Sequence, residues 1–260
     1  MIELPRRGVL RDGGVSAGRG LALDLGSART RAWLPTVGLV VDAPTIAPPF
    51  AEAGYPVRRG TIVDPAGAAA LLGHLLRSHR APRYRPALVV VTHPVLSTDA
   101  DRSAVLTVVE SLRPRAVLTI ESVRAAALGA NADLVRPLLV IDLGADLTEV
   151  AVLTGGALIE ARRVPLGTSD FGSITVDDLV DAVGELVTVL LHRPCGPQVV
   201  DALDRGPLLT GGGAMRPAIT YRLAKRLSSP IQTAFAPHTV AVRGACAALL
   251  AANRHPGTSA

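Results

Sequence analysis

Cysteine and lysine are nearly absent from this 260-residue chain, which has Cys195, Cys246 and Lys225 alone, and aromatic residues make up only 3% of it. Two isolated cysteines with no CxxC pair exclude a disulfide framework and a thiolate zinc site, and leave two buried thiols as the expectation. The histidines, His74, His79, His93, His192, His238 and His255, are scattered without HExxH or any other ligand-like spacing, so none is assigned a catalytic role. A formal charge of +5 and a pI near 10.0 would suit a polyanion. The positive charge, however, comes from arginines spread along the whole chain, and few rings are present on which bases would stack, so nucleic acid is not an expected partner. No apolar run is long enough to span a bilayer. Residues 1–19 hold Arg6, Arg7, Arg11 and Arg19 among glycines and lack the apolar segment of a secretory signal, which predicts a flexible basic tail on a soluble, cytoplasmic protein.

What is abundant is Ala, Val and Leu in an apolar fraction of 48%, enough for a folded α/β protein with a substantial core. The most informative feature is a repeat. Leu21-Ala22-Leu23-Asp24-Leu25-Gly26-Ser27-Ala28-Arg29-Thr30 is matched by Leu139-Val140-Ile141-Asp142-Leu143-Gly144-Ala145-Asp146-Leu147-Thr148, each a buried strand running into Asp-x-Gly-x-x-x-Thr. A glycine after an apolar strand lets a backbone turn approach phosphate oxygens, and the carboxylate is placed to hold a hydrated cation. Two such turns facing one another would clamp one nucleotide; the alternative is that Asp-Leu-Gly is only a strand-to-turn exit.

The pattern around the repeat predicts two halves, 20–136 and 137–252, followed by a frayed tail at 253–260. In the first half, strands at Thr30–Pro35 and Gly38–Val41 complete a meander, and the Pro-rich stretch Ala43–Gly60 reads as a loop. Asp64 and Pro65 start a helix to about Ser78, Ala87–Thr92 is a continuous apolar strand, Thr98 or Asp99 opens a helix to Leu112, Ala116–Ile120 is a strand, and Glu121–Ala130 is a short helix. The second half restarts at Leu138 with three strands ending near Pro165. A helix capped by Thr175 runs to Leu191, then a strand at Pro207–Thr210 enters Gly211-Gly212-Gly213-Ala214; a helix to Leu227, a strand near Ile231 and a last helix from His238 to about Ala252 follow.

In their order and wording these motifs resemble the MreB/Mbl family of bacterial actin homologues, within the superfamily of actin, sugar kinases and chaperone ATPases, from about Gly20 to Leu250. Besides the two Asp-x-Gly turns, the resemblance rests on Gly38 to Ala47, Arg58-Arg59-Gly60-Thr61-Ile62-Val63-Asp64, Ile120 to Ala130, Leu209 to Ala214, and His238 to Ala245. It implies an α/β, actin-like ATPase fold, a duplicated βββαβαβα unit that is ribonuclease H-like. It implies ATP and Mg2+ as cofactors: Asp24, Gly26, Ser27, Ala28 and Arg29 on one side of the phosphates, Asp142, Gly144, Ala145, Asp146 and Thr148 on the other, Gly211, Gly212, Gly213 and Ala214 at the adenosine, and Asp24 and Asp142 holding the metal through water.

Three departures alter the expectation. Ala145, Asp146 and Leu147 replace a glycine-rich phosphate loop, and an acidic Asp146 there repels phosphate unless it turns outward. Ser122 replaces the second acid of the connecting helix, which in the family orients the attacking water; Glu121, one residue away, points elsewhere on a helix. The stretches Ala43–Gly60 and Thr168–Thr175 are too short for the small subdomains, so two large subdomains remain with the small ones largely deleted. The reading that follows is a reduced cytoskeletal protein of cell-shape or cell-wall organisation, nucleotide-binding and at most a weak ATPase. Self-association or co-assembly with a full-length MreB-type paralogue, cell-wall morphogenesis proteins, and peripheral contact with the inner face of the membrane are the partners it implies. A non-hydrolysing scaffold with a vestigial site, or a small-molecule kinase, are the alternatives.

Overall fold

The computed structural model describes residues 20–48, 54–78 and 85–254, so the basic stretch 1–19 and residues 255–260 lie outside the described residues. β1 (Gly20–Leu25), β2 (Arg29–Leu34) and β3 (Gly38–Pro44) form an antiparallel meander. A short hairpin, β4 (Val57–Arg58) with β5 (Thr61–Ile62), precedes α1 (Pro65–Ser78), β6 (Leu88–His93), α2 (Asp99–Glu110), β7 (Ala116–Glu121) and α3 (Ser122–Gly129). The chain then repeats itself with β8 (Leu138–Leu143), β9 (Thr148–Thr154), β10 (Ala157–Val164), α4 (Val176–Leu191), α5 (Gly196–Arg205), β11 (Leu208–Thr210), α6 (Pro217–Leu227), β12 (Gln232–Thr233) and α7 (Val240–Arg254). The first sheet has the order β3-β2-β1-β6-β7 and the second β10-β9-β8-β11-β12, position for position the same. In each, a hairpin meander is extended by two parallel strands.

Local signals explain most boundaries. Thr98 and Thr175 each close a capping box, with Asp101 and Asp178, and the carboxylates of the first turn favour the positive end of the helix. Asp64 accepts from the Gly67 amide at 2.9 Å to start α1. Two elements are not announced by the sequence. The β4–β5 hairpin starts inside the stretch read as a loop and ends just past it, and α5 begins within Arg193-Pro194-Cys195-Gly196-Pro197, a run of helix-breaking residues although Pro197 sits in the first turn, where its missing N–H costs nothing. Helix α7 continues through Asn253 and Arg254, residues expected to fray. Residues 165–175 join β10 to α4 through a 3-10 turn, Thr168–Asp170, and an isolated bridge between Phe171 and Ile174.

One face of the first sheet is covered by α1 and α2, through Leu71, Leu72, Leu75, Val105, Val108 and Val109. One face of the second is covered by α4, α5 and α6, through Leu179, Val183, Leu190, Val199, Ile219 and Leu223. The remaining faces are covered by exchange. Helix α3, which follows the first sheet in the chain, lays Val123, Ala126 and Ala127 on Leu138, Val140, Ala151 and Leu153 of the second. Helix α7, which follows the second, lays Val242, Ala245, Cys246 and Leu249 on Ala22, Val90 and Ile120 of the first. These two helices meet at backbone distance: a Cβ on Gly244 would lie 1.6 Å from the Ala125 carbonyl oxygen, and one on Gly129 2.0 Å from that of Val240. Glycine is therefore required at both positions by close approach alone.

Candidate functional site

The C-terminal ends of β1 and β6 face those of β8 and β11 across a cleft of about 300 Å3. The two repeated turns are built alike. The Gly26 amide donates to the Arg29 carbonyl at 3.1 Å, and the Gly144 amide to that of Leu147 at 2.9 Å; a Cβ on either glycine would lie 3.0 Å or less from that same carbonyl oxygen. The threonine that ends each motif anchors the turn from behind. Thr30 meets the Thr45 hydroxyl at 3.0 Å, and Thr45 in turn donates to the Gly26 carbonyl at 2.7 Å, whereas Thr148 donates to the Leu166 carbonyl at 2.8 Å.

Eleven of the residues expected at a ligand line this cleft: Asp24, Gly26, Ser27, Ala28, Arg29, Asp142, Gly144, Ala145, Asp146, Gly211 and Gly212. Three do not. Thr148 is buried in the turn anchor just described, Ala214 packs into the core beside Ile219, and Gly213 fits against Leu143, 2.7 Å from where its Cβ would stand. Gly211 has φ +83 and comes so close to the Asp142 carboxylate that a Cβ would lie 2.4 Å from it, while Gly212 has open space before it. Arg29 borders the cleft, but its guanidinium is turned to Asp42, donating to the backbone carbonyl at 2.6 Å and pairing with the carboxylate. Ser122 is on the wall and donates to the His93 carbonyl at 2.8 Å; Glu121, paired with Arg124, is not.

The cleft also contains groups that the sequence pattern does not single out. Glu149, opposite Asp142 in the β8–β9 ladder, is 4% exposed and accepts from the Val95 amide at 2.5 Å. Burial, and then the neighbouring Asp142, push its pKa up to about 8. Arg163, opposite Glu149 on β10, donates to the carbonyl of the same Val95 at 3.0 Å, so the second half grips one residue of the first at both its N–H and its C=O. Asp142 is itself pushed up to about 6, by burial and then by the charge of Asp24. Arg216 lines the cleft beside Gly212 with its guanidinium 4.8 Å from the centre of the Phe171 ring. His238 lines it as well, held below the ordinary histidine range by burial and then by Arg31.

At the mouth, the β4–β5 hairpin crosses from one half to the other. Arg59 makes a bidentate pair with Asp170, at 2.7 and 2.6 Å, and donates to the Asp146 carbonyl at 3.0 Å. The Gly60 amide donates to the Ser27 hydroxyl at 3.2 Å, tying the hairpin to the first turn.

At Asp24, the metal site expected through water on Asp24 and Asp142 does not fit the residues as arranged. One Asp24 oxygen accepts from Thr92 at 2.8 Å, and the other faces the Arg31 guanidinium at 3.4 Å. Among the described residues, no three His, Cys, Asp or Glu side chains are grouped to hold a metal ion directly. Nor is any helix among the described residues long and apolar enough to cross a membrane.

Comparison with known proteins agrees with the architecture. A family model described as MreB/Mbl protein matches residues 47–177. The cell shape-determining protein MreB of Escherichia coli K12 is 22% identical over 329 aligned positions, covering 91% of this chain and 95% of that protein; the alignment is longer than the 260-residue chain, so the relative has segments that this chain lacks. The MreB of Pasteurella multocida is 24% identical, and the Mbl protein of Bacillus cereus 22% over 86% of the chain and 94% of its own length. Among solved structures, MreB5 of Spiroplasma citri bound to ADP superposes with a TM-score of 0.81 at 17% identity, over 94% of this chain and all of that one. The AMPPNP-bound form of the same protein gives 0.76 at 18% identity, over 86% of this chain and 94% of that one. The ethanolamine utilization protein EutJ of Carboxydothermus hydrogenoformans gives 0.62 at 17% identity, over 87% and 88% of the two chains. The fold is the actin-like ATPase fold.

Proposed function

Because the chain belongs to the MreB/Mbl family, we propose that it is a reduced cytoskeletal protein of cell-shape or cell-wall organisation whose cleft binds ATP or ADP and hydrolyses ATP weakly or not at all. The observation that carries this reading is the pair of like-built glycine turns facing each other across a cavity lined by both halves. Backbone amides in such turns present donors to phosphate oxygens, and solved relatives of the same fold are described as bound to ADP and AMPPNP. Asp24, Gly26, Ser27, Ala28, Gly144 and Ala145 would face the phosphates, and Gly211, Gly212 and Arg216 the nucleoside.

Weak turnover follows from Ser122. A hydroxyl already donating to the His93 carbonyl does not polarise water as a carboxylate does, and losing a general base lowers a rate by about 10² to 10⁴. Assembly is then the output. Self-association and co-assembly with a full-length MreB-type paralogue are the proposed contacts, together with cell-wall morphogenesis proteins, in the cytoplasm and at the inner face of the membrane. A scaffold with a vestigial site is the second reading, favoured by Asp146 on the phosphate side of the cleft and by Arg29 turned to Asp42. A small-molecule kinase fits less well, since the connection at 165–175 contributes no substrate-specific insertion.

Thermal melting with ATP separates these readings. Ligand at about 100 times its Kd stabilises by ~2.7 kcal/mol, several degrees for a protein of this size. ATP or ADP should raise the melting temperature, Gly212→Asp should lose most of that rise because open space admits its carboxylate beside the ligand, and phosphate release should stay at the buffer rate. A melting temperature unmoved by millimolar nucleotide would leave the scaffold reading in its place.

A further inference from the structure

Arg31 is the one guanidinium that the strand register fixes against the expected metal carboxylate. It lies opposite Asp24 in the β1–β2 ladder and opposite Asp42 in the β2–β3 ladder, so its side chain stands between two acids on one face of the sheet. Its Nη1 is 3.4 Å from Asp24 Oδ2 and its Nε 3.3 Å from Asp42 Oδ1, and the side chain is only 12% exposed. The other Asp24 oxygen accepts from Thr92. Asp42 is also tied to Arg29, so neither acid is free to swing away from Arg31. A dication brought to Asp24 would displace a desolvated guanidinium and then remain beside it.

We propose that Arg31 is a built-in replacement for the divalent cation: the cleft takes no Mg2+ at Asp24 and binds its polyphosphate ligand in the metal-free form. This deepens the nucleotide reading above, but the carboxylate's refusal of metal can be tested without any nucleotide. The logic is that of an ion pair sheltered from solvent. Removing the guanidinium leaves Asp24 without an ionic partner while Asp42 keeps Arg29, and an unpaired carboxylate recovers its compensation from whatever cation reaches it.

The experiment is a titration of the purified full-length chain with Mn2+, following free Mn2+ by electron paramagnetic resonance, for the wild type, Arg31→Met, Arg31→Met/Asp42→Asn and Arg31→Met/Asp24→Asn. The second of these variants also removes the Asp42 charge that Arg31 faced and keeps the test open should the first melt below the working temperature. The wild type should bind no stoichiometric Mn2+. The variants lacking Arg31 but keeping Asp24 should bind one ion at least ~10-fold more tightly, with a melting temperature that rises on adding it, and removing Asp24 should abolish both effects. Stoichiometric Mn2+ binding by the wild type, or no gain in variants that melt cooperatively, would overturn the proposal. In parallel, ATP titrated in EDTA and in Mg2+ should give affinities within about 3-fold of each other for the wild type, whereas ATP binding that requires Mg2+ would overturn it. Failure of ATP to bind in either buffer sinks the nucleotide reading alone and leaves the Mn2+ result to decide the role of Arg31.

Discussion

Glu149 shows how a single residue can join two halves and set a pH dependence. Its carboxyl sits in protein interior beside Asp142, with Arg163 offsetting part of the cost. Its folded pKa of about 8 lies above the ordinary 4.5, so the folded state keeps a proton that the unfolded chain releases. Stability is therefore undiminished below the unfolded value, falls as pH rises between it and about 8, and levels off above that. Glu149→Gln keeps the acceptor for the Val95 amide and removes the titration. Its melting temperature should exceed that of the wild type at pH 8.5 by more than about 2 °C, the shift that ~1 kcal/mol produces at this size, and the difference should shrink towards pH 5. Equal differences at both pH values would show that Glu149 is ionised throughout. At this scale the sequence is legible where a residue acts through its own backbone, as Gly26, Gly144 and Gly211 do. It is silent on Arg31, Glu149, Arg216 and His238, because what makes each matter is a neighbour brought by strand register or by the opposite half.

Among the elements, α3 and α7 are the pair that admits no side chain between them. Gly244→Ala should cost about 3 kcal/mol or more, since its methyl would meet a backbone carbonyl that cannot yield without separating the helices. Gly212→Ala, with nothing within 4 Å of its Cβ, should change stability little by the same denaturant titration. Comparable losses at the two sites would argue that helix contact is not what Gly244 supplies. The repeated Asp-x-Gly strands and the caps at Asp64, Thr98 and Thr175 made the elements of both sheets readable. Helix α5 was hidden because prolines and glycine mark a helix start and a break alike, and the β4–β5 hairpin because four paired residues hold no periodicity.

Across the whole molecule, the contacts between the halves include the α3–α7 pair, the Val95 grip, and the Arg59–Asp170 bridge over the mouth. The bridge is the half-exposed one, and such pairs contribute roughly 0–1 kcal/mol, screened by salt. It is suited to opening without loss of the fold. Arg59→Ala should leave the melting temperature within about 2 °C while the amides of Gly60 and of residues 145–147 exchange hydrogen faster, as measured by mass spectrometry. Unchanged exchange there would mean that the hairpin is held by Gly60 and Ser27 alone. The gross arrangement of two like sheets was legible in the repeat. Which helix covers which sheet was not, since α3 and α7 have similar small-residue faces and nothing in either marks the sheet it will join.

That exchange of helices governs when the protein can exist at all. Gly20, the first residue of β1, lies against Leu249, and a sheet complete in sequence by Glu121 stays bare on one face until α7 is supplied. On the ribosome the first sheet is therefore made early and finished last, its apolar floor of Ala22, Val90 and Ile120 open while more than half of the chain is still being synthesised. Over that interval, before there is any cleft to bind a ligand, the nascent chain is most in need of a chaperone.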